Sequence, residues 1–568
     1  MRGVTLRRRP FLLAGIALSL VLVSWFYWNR PARTDLSSYA PADALAFIEV
    51  NDLAEIANGV IETRAWQSLA GPIGAPASLT PSRWLIRLAR WTGVGSTDTI
   101  LFARSQVAIV FSGAEGTQAG STLVIKPLTT FVIETHTSQR RMRATVEHHI
   151  EELAQRLYQN PVFVRKQIAG RDFQEWQSAD GAHTIVFAFA DTAVVVGNDE
   201  TSVLHSLEAR AGGRASLKDQ SELAAARQSH EAGASLFGYV TQTGAKSLLQ
   251  AFALYRSGPS ADAVTGARIF SDTIGGLIKS ISWTARFAGG GVEDHFSVAL
   301  ADGVADKLRA SMVPDRGPDV TRFSFIPKDF YSLSLYQFRD ANSFWGDLNA
   351  TMSAHTDLIG AVAARPMLRA LVKPYGIDDA DTFARAIGPR IQTVRLEQDS
   401  PAVLITEVFD RQALRKAILQ KFGQNPKNES VGDAELILSN DNWAAGFVDN
   451  SFLIGPTESV RQCLNARMST ASDRLRQSQA SIDVSLPLTS IFFSDDRQSA
   501  TSFVEAFSNQ DRPAFAGEAS AIDAAAGSLP FAVSVSLLKG QAIDWTSRSS
   551  FGVLGALATE LMPSSTSK

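Results

Sequence analysis

The first apolar run of the chain, residues 11–28, holds eighteen residues without a charge. As a helix it would span about 27 Å, close to the hydrocarbon thickness of a bilayer. Arg7, Arg8 and Arg9 precede it, and Trp25, Phe26, Tyr27 and Trp28 close it. Basic flanks stay on the cytoplasmic side and aromatic rings settle at the lipid–water boundary. The pattern therefore predicts one membrane helix, with residues 1–10 inside the cell and the bulk of the chain outside the cytoplasm. A cleaved signal peptide would need small residues behind a shorter apolar core. The aromatic end, followed by Asn29 and Arg30, does not supply them. Arg8-Arg9-Pro10-Phe11-Leu12 is similar to a twin-arginine export signal, but no cofactor motif accompanies it and an ordinary basic flank explains it. No later run is long and apolar enough to span; residues 280–287 and 529–538 are of strand length.

Downstream, the apolar pattern is written twice in one order. Pro41-Ala42-Asp43 opens a strand over 44–50, and Pro327-Lys328-Asp329 opens one over 330–336. Helices follow at about 53–69 and 344–354, then Gly93-Val94 and Gly376-Ile377. Strands over 131–135 and 403–407 lead into helices over 140–157 and 411–422. Two hairpins come next, over 185–197 and 445–455, turning at Asp191-Thr192 and Asp449-Asn450. Each enters a helix through Glu200 or Glu458, ending near Leu207 or Leu464. Strands over 236–240 and 491–494, with apolar stretches 247–252 and 502–507, form the fifth block. Closing strands over 281–287 and 295–300 match 531–537 and Trp545 onward.

Six blocks in one order predict two tandem α+β units, 36–312 and 319–562, of mostly antiparallel sheet with packed helices. Residues 29–35 and 313–318 are linkers, and 563–568 form a polar tail. Val313-Pro314-Asp315-Arg316-Gly317-Pro318 is rich in turn formers, as a linker should be. Doubled apolar positions such as Val194-Val195-Val196 predict strands covered on both faces. Helices on one face and packing between the units on the other would achieve this.

The strand openers at Pro41 and Pro327 and the hairpins Phe189-Ala190-Asp191 to Gly197 and Phe447-Val448-Asp449 to Gly455 carry a resemblance. With the basic, single-pass anchor, they resemble a bacterial family of uncharacterised membrane-anchored envelope proteins, a domain of unknown function. The resemblance covers most of 36–562. It implies envelope location and brings no activity, cofactor or catalytic residue.

Composition narrows the function classes. The formal charge is −3, but the first 33 residues hold six arginines and no acid, leaving 48 bases against 57 acids, a balance of −9. A body of that sign does not attract nucleic acid. Cys463 is the only cysteine, so no intramolecular disulfide forms, and it reads as a buried apolar residue on a helix. Of eight histidines, only His148 has a metal-like spacing, to Glu152, and two ligands do not make a site.

The remaining candidates also read as structure. Asp378-Asp379-Ala380-Asp381 lacks the alternating ligands of a calcium loop, and Asp381-Thr382 reads as a helix cap. Asp199-Glu200 and Thr457-Glu458 read as helix starts. Gly289-Gly290-Gly291 reads as a strand turn and Arg140, Arg141 and Arg143 as a solvated face. Trp66, Trp84, Trp91, Trp176, Trp283, Trp345, Trp443 and Trp545 read as packing residues. No nucleophile elbow, phosphate loop or His-Glu-x-x-His motif occurs.

No catalytic, cofactor-binding or metal-binding residue is assigned, and the chain reads as a non-enzyme without a cofactor. The expectation is an inner-membrane, single-pass protein whose extracytoplasmic body is a non-catalytic scaffold or binding protein. Its partners are then the membrane, other envelope proteins or a hydrophobic ligand. The alternative is a carrier or sensor of a hydrophobic ligand such as lipid, held in a groove between the units, with the amphipathic stretch 82–91 as a helix that could also lie on a membrane. An envelope hydrolase is a third reading.

Overall fold

The computed structural model describes residues 33–75, 105–119, 122–158, 160–229, 233–257, 261–318, 323–355, 372–377, 379–423, 426–467, 472–505 and 516–561. The expected membrane helix at 11–28, the stretch 82–91, Gly93-Val94 and Trp84 lie outside them. Among the described residues, no helix is long and apolar enough to cross a membrane.

The chain is α+β, with one large antiparallel sheet. The first ten strands are β1 (Ala46–Val50), β2 (Gln106–Ala119), β3 (Thr122–Glu134), β4 (Val162–Ile168), β5 (Arg171–Gln177), β6 (Thr184–Ala190), β7 (Ala193–Gly197), β8 (Leu236–Thr241), β9 (Ile278–Ala288) and β10 (Gly291–Leu300). The rest are β11 (Ser332–Gln337), β12 (Ile387–Arg395), β13 (Val403–Val408), β14 (Lys427–Val431), β15 (Ala434–Leu438), β16 (Trp443–Val448), β17 (Ser451–Pro456), β18 (Ser490–Ser494), β19 (Ala532–Lys539) and β20 (Ala542–Ser549). From one edge, the order begins β4, β5, β6, β7, β3, β2, β1, β8, β9, β10. It continues β20, β19, β18, β11, β12, β13, β17, β16, β15, β14. The central seam joins β10 to β20, from Val292 opposite Ser549 to Ala299 opposite Ala542.

This seam corrects the expected packing of 36–312 against 319–562. The two segments meet strand to strand, and β7 and β17 are each covered on both faces by helices of their own segment. On β7, Val194 packs with Met142, Val146 and Ile150 of the Gln139–Leu157 helix. Its neighbour Val195 packs on the other face with Val203 and Leu207 of the Glu200–Arg210 helix. On β17, Leu453 meets Val460 and Cys463 of the Thr457–Ala466 helix, while Phe452 and Ile454 meet Leu414 and Ile418 of the Arg411–Phe422 helix. Successive strand residues point to opposite faces, so a doubled apolar run needs two covers.

Helices also bridge the seam. Trp66 and Leu69 of the Arg64–Leu69 helix share a core with Phe503 and Val504 of the Arg497–Glu505 helix and with Phe551. Val304 and Leu308 of the Val304–Met312 helix pack with Phe344 and Leu538. The expected helix at 53–69 is two helices, Leu53–Glu62 and Arg64–Leu69, broken at Thr63, whose hydroxyl accepts the Trp66 N–H at 3.2 Å. The 313–318 linker is closely packed: a Cβ on Gly317 would lie 1.8 Å from the Val484 carbonyl oxygen.

Candidate functional site at the central seam

The seam has two unlike faces, because β10 and β20 alternate in opposite chemistry. On one face, Trp283, Phe296 and Trp545 sit directly opposite one another across β9, β10 and β20. Trp283 stacks on Phe296 at 6.1 Å, Phe296 lies 6.5 Å from Trp545, and Trp545 stacks on Phe492 of β18 at 5.6 Å. Tyr336 of β11 continues the row edge-on to Phe492 at 5.5 Å. Trp545 packs between the Phe296 and Phe492 rings yet stays 41% exposed; Trp66, by contrast, is fully buried.

Asp294 sits beside this row. It accepts the Trp283 Nε1–H at 2.8 Å, and its other oxygen accepts the Val553 N–H at 3.1 Å, at the start of the Gly552–Leu561 helix. Burial raises its pKa above the ordinary carboxylate range, against the pull of these two donors.

The opposite face is polar. Glu293 accepts from Arg286 of β9 at 2.5 and 3.0 Å and from Arg548 of β20 at 2.6 Å. Burial would raise the Glu293 pKa, but the two guanidinium groups outweigh it and hold it low. Ser297 donates to Asp544 at 2.8 Å, and the His295 ring nitrogen lies 4.0 Å from the same carboxylate. Ser297, His295 and Asp544 thus come together across the seam, with the serine hydroxyl tied to the carboxylate. The set is a cross-strand clamp.

A second polar cluster pins the start of the body. Thr34 N–H donates to Gln106 Oε1 at 2.8 Å, and Gln106 Nε2 donates back to the Thr34 carbonyl at 3.1 Å and to Asn51 Oδ1 at 3.0 Å. His136 Nε2 lies 3.0 Å from the same Oε1, so that nitrogen carries the proton. Arg227 donates to Asp35 at 3.0 Å and to both oxygens of Glu49 at 2.9 and 3.0 Å. Burial raises the Glu49 pKa against the pull of Arg227. For Asp35, burial is outweighed by Ser37 and Arg227, which hold its pKa low. Leu36, Tyr39 and Ala40 are buried immediately after.

The sequence candidates fall into turns, caps and ion pairs. Asp191 and Asp449 head two-residue hairpin loops with φ of 50° and 47°, and Asp449 also pairs with Arg467 at 2.5 Å. Glu200 and Glu458 lie in first helical turns, but the capping carboxylate is that of Asp199, which accepts the Ser202 N–H at 2.7 Å. Asp379, and not Asp381, caps the Ala380–Ala386 helix, accepting the Thr382 N–H at 3.0 Å. Gly289 and Gly290 form the β9–β10 turn at φ of 61° and 81°, where glycine carries no Cβ penalty.

Arg143 departs from a purely solvated face: its guanidinium stands 4.8 Å from the Phe189 ring. Glu152 lies 3.5 Å from both His148 and His149, which shares its helix face with them. Among the described residues, no group of three or more His, Cys, Asp or Glu is placed to hold a metal ion. Cys463 is buried, and burial pushes its thiol up to about 12. An open depression of about 330 Å³ lies between the Ala341–His355 and Ala380–Ala386 helices, lined by Asn342, Trp345, Asp347, Asp381 and Arg385. The aromatic row and the Thr34 clamp escaped sequence reading, because each gathers residues from strands far apart in the chain.

The fold thus defines an α+β protein on one extended antiparallel sheet. No family model matches the chain, and no curated protein matches it. Among solved structures it is similar to TP0453 in its crystal form III, at 9% identity and a TM-score of 0.25, over 48% of this chain and 82% of that one.

Proposed function

We propose that this chain is a membrane-anchored envelope protein whose extracytoplasmic body is a non-catalytic scaffold or binding platform, made of two tandem copies of one α+β unit. Strand order carries the reading. From one edge the sheet runs β4-β5-β6-β7-β3-β2-β1-β8-β9-β10, and from the other β14-β15-β16-β17-β13-β12-β11-β18-β19-β20, each strand matched ten strands later. The seam register agrees. β10 and β20 both begin opposite the last residue of the preceding strand, and the fifth residue of each, His295 and Thr546, pair with one another. Self-complementary pairing is what a two-fold relation between copies produces. The matched acids serve turns and helix starts in both copies, which suits a scaffold.

The basic flank, the apolar run 11–28 and its aromatic end support the anchor. An alkaline phosphatase fusion after Lys568 tests it, since that enzyme is active only outside the cytoplasm. The fusion is expected to be active, and an inactive but stable product would overturn the topology.

One observation favours the hydrophobic-ligand alternative. The aromatic row from Trp283 to Tyr336 lies on the seam between the proposed units, and Trp545 leaves part of it open to solvent. Aromatic faces of this kind suit an apolar or flat ligand.

A further inference from the structure

We propose that the rim formed by the carboxyl end of β1, the amino end of β2 and the start of the Gln139–Leu157 helix faces the membrane and contacts anionic lipid headgroups. The inference rests on the anchor reading above and names the surface that the anchor presents to the bilayer.

The first argument is tether length. The apolar run ends at Trp28, and Thr34 is already fixed to the body by its paired bonds to Gln106. Asp35 is held by Arg227, and Leu36 is buried. Only five residues lie between Trp28 and Thr34, and even fully extended the six steps reach only about 20 Å. A body so closely tied cannot turn its far end to the bilayer. The surface around Thr34 must lie next to it.

The second argument is charge. His136 shares the Gln106 oxygen with Thr34, and the Gln139–Leu157 helix begins three residues later. Its opening reads Gln139-Arg140-Arg141-Met142-Arg143, with no acid in the first turn and no side-chain bond from its N-cap, Ser138. Cations at the positive end of a helix dipole work against the helix. Arg143 is accounted for by the Phe189 ring it lies against, but helix stability does not explain Arg140 and Arg141, and an external anionic surface does. Arg140 is exposed. Of the nearby acids, Asp35 is neutralised by Arg227, while half-buried Asp52 accepts the Ala54 and Glu55 N–H groups and exposed Glu55 accepts the Ser235 hydroxyl. A few basic side chains beside a membrane draw it through the negative surface potential, an effect that salt weakens.

The lone native thiol makes the test direct, because Cys463 is buried and leaves introduced cysteines to be labelled selectively. Gln139→Cys places a fluorophore on the proposed rim, and Lys539→Cys places one at the opposite end of the seam strands. The full chain is reconstituted, body outward, in vesicles of phosphatidylcholine and phosphatidylglycerol at 3:1, with nitroxide-labelled headgroups. Quenching is expected to be several-fold stronger at position 139 than at 539. Arg140→Glu with Arg141→Glu should reduce quenching at 139 in these vesicles and not in phosphatidylcholine alone. Equal quenching at the two positions, in protein that resists alkaline carbonate extraction, overturns the orientation and leaves the anchor standing. Extraction by carbonate overturns the anchor and the orientation with it. An unchanged signal in the double arginine variant overturns the headgroup contact.

Discussion

Asp294 belongs to a strand of the first segment, yet its Oδ2 accepts the N–H of a residue 259 positions later. Burial holds its proton more tightly in the folded protein than in the unfolded chain. The sign follows from linkage. A carboxyl with a raised folded pKa adds stability below its unfolded value, near 3.8, and loses that contribution as pH rises through the folded value. Asp294→Asn keeps the shape but does not titrate, and its amide imposes a roughly constant penalty at every pH. Relative to the unmodified protein, the variant is therefore expected to gain stability between pH 4 and pH 7. Urea midpoints at both values check this, and parallel behaviour at the two would show that Asp294 does not couple to folding. Glu293 and Asp495 have lowered values and push the other way in both proteins, so only the difference isolates Asp294.

At the scale of elements, the apolar pattern located some buried elements and passed over others, among them β2 and β12. The Arg411–Phe422 helix begins and ends where expected, because Asp410 caps it by accepting the Gln412 and Ala413 N–H groups. The β4–β5 and β14–β15 hairpins were not legible. They lie at the sheet edges, and β4 and β14 are largely exposed, so selection for apolar alternation is weak there. The doubled apolar run of β7 was legible as a strand with two covers, but the identity of the second cover was not. Two-sided burial yields a prediction. Val194→Ala and Val195→Ala should each cost about 1–3 kcal/mol, since each methyl pair leaves a different helix-backed core. A strand covered on one face would show one such loss and one near zero. Urea unfolding of the two variants separates the cases.

At the scale of the molecule, the seam is the feature that no local pattern could announce. Its strands are separated by about 250 residues, and β10 alone reads as an ordinary alternating strand. The register places His295 opposite Thr546, Phe296 opposite Trp545 and Val298 opposite Ile543. If the two segments are copies of one unit, each carries a seam strand able to pair with its own kind about the same axis. Residues 36–312 produced alone would leave β10 as an open edge, with the aromatic face of Trp283 and Phe296 on one side and Glu293 on the other. Unpaired backbone along an edge strand is a template for a second strand. The isolated segment is therefore expected to form a two-fold dimer through β10, with His295 opposite its own counterpart. Mixing it with 319–562 should favour a one-to-one pair, because only that pairing restores the Glu293–Arg548 bond and the Asp294 cap on the Gly552–Leu561 helix. Light scattering of each segment and of the mixture gives the masses. Val298→Pro removes an N–H from the seam itself, since the Leu300 N–H bond to the Gln541 carbonyl sets the even residues of β10 facing β20, and it should abolish both associations. Folded monomers that ignore one another would mean that the strand seam adds little and that the tie at 313–318 alone keeps the segments together.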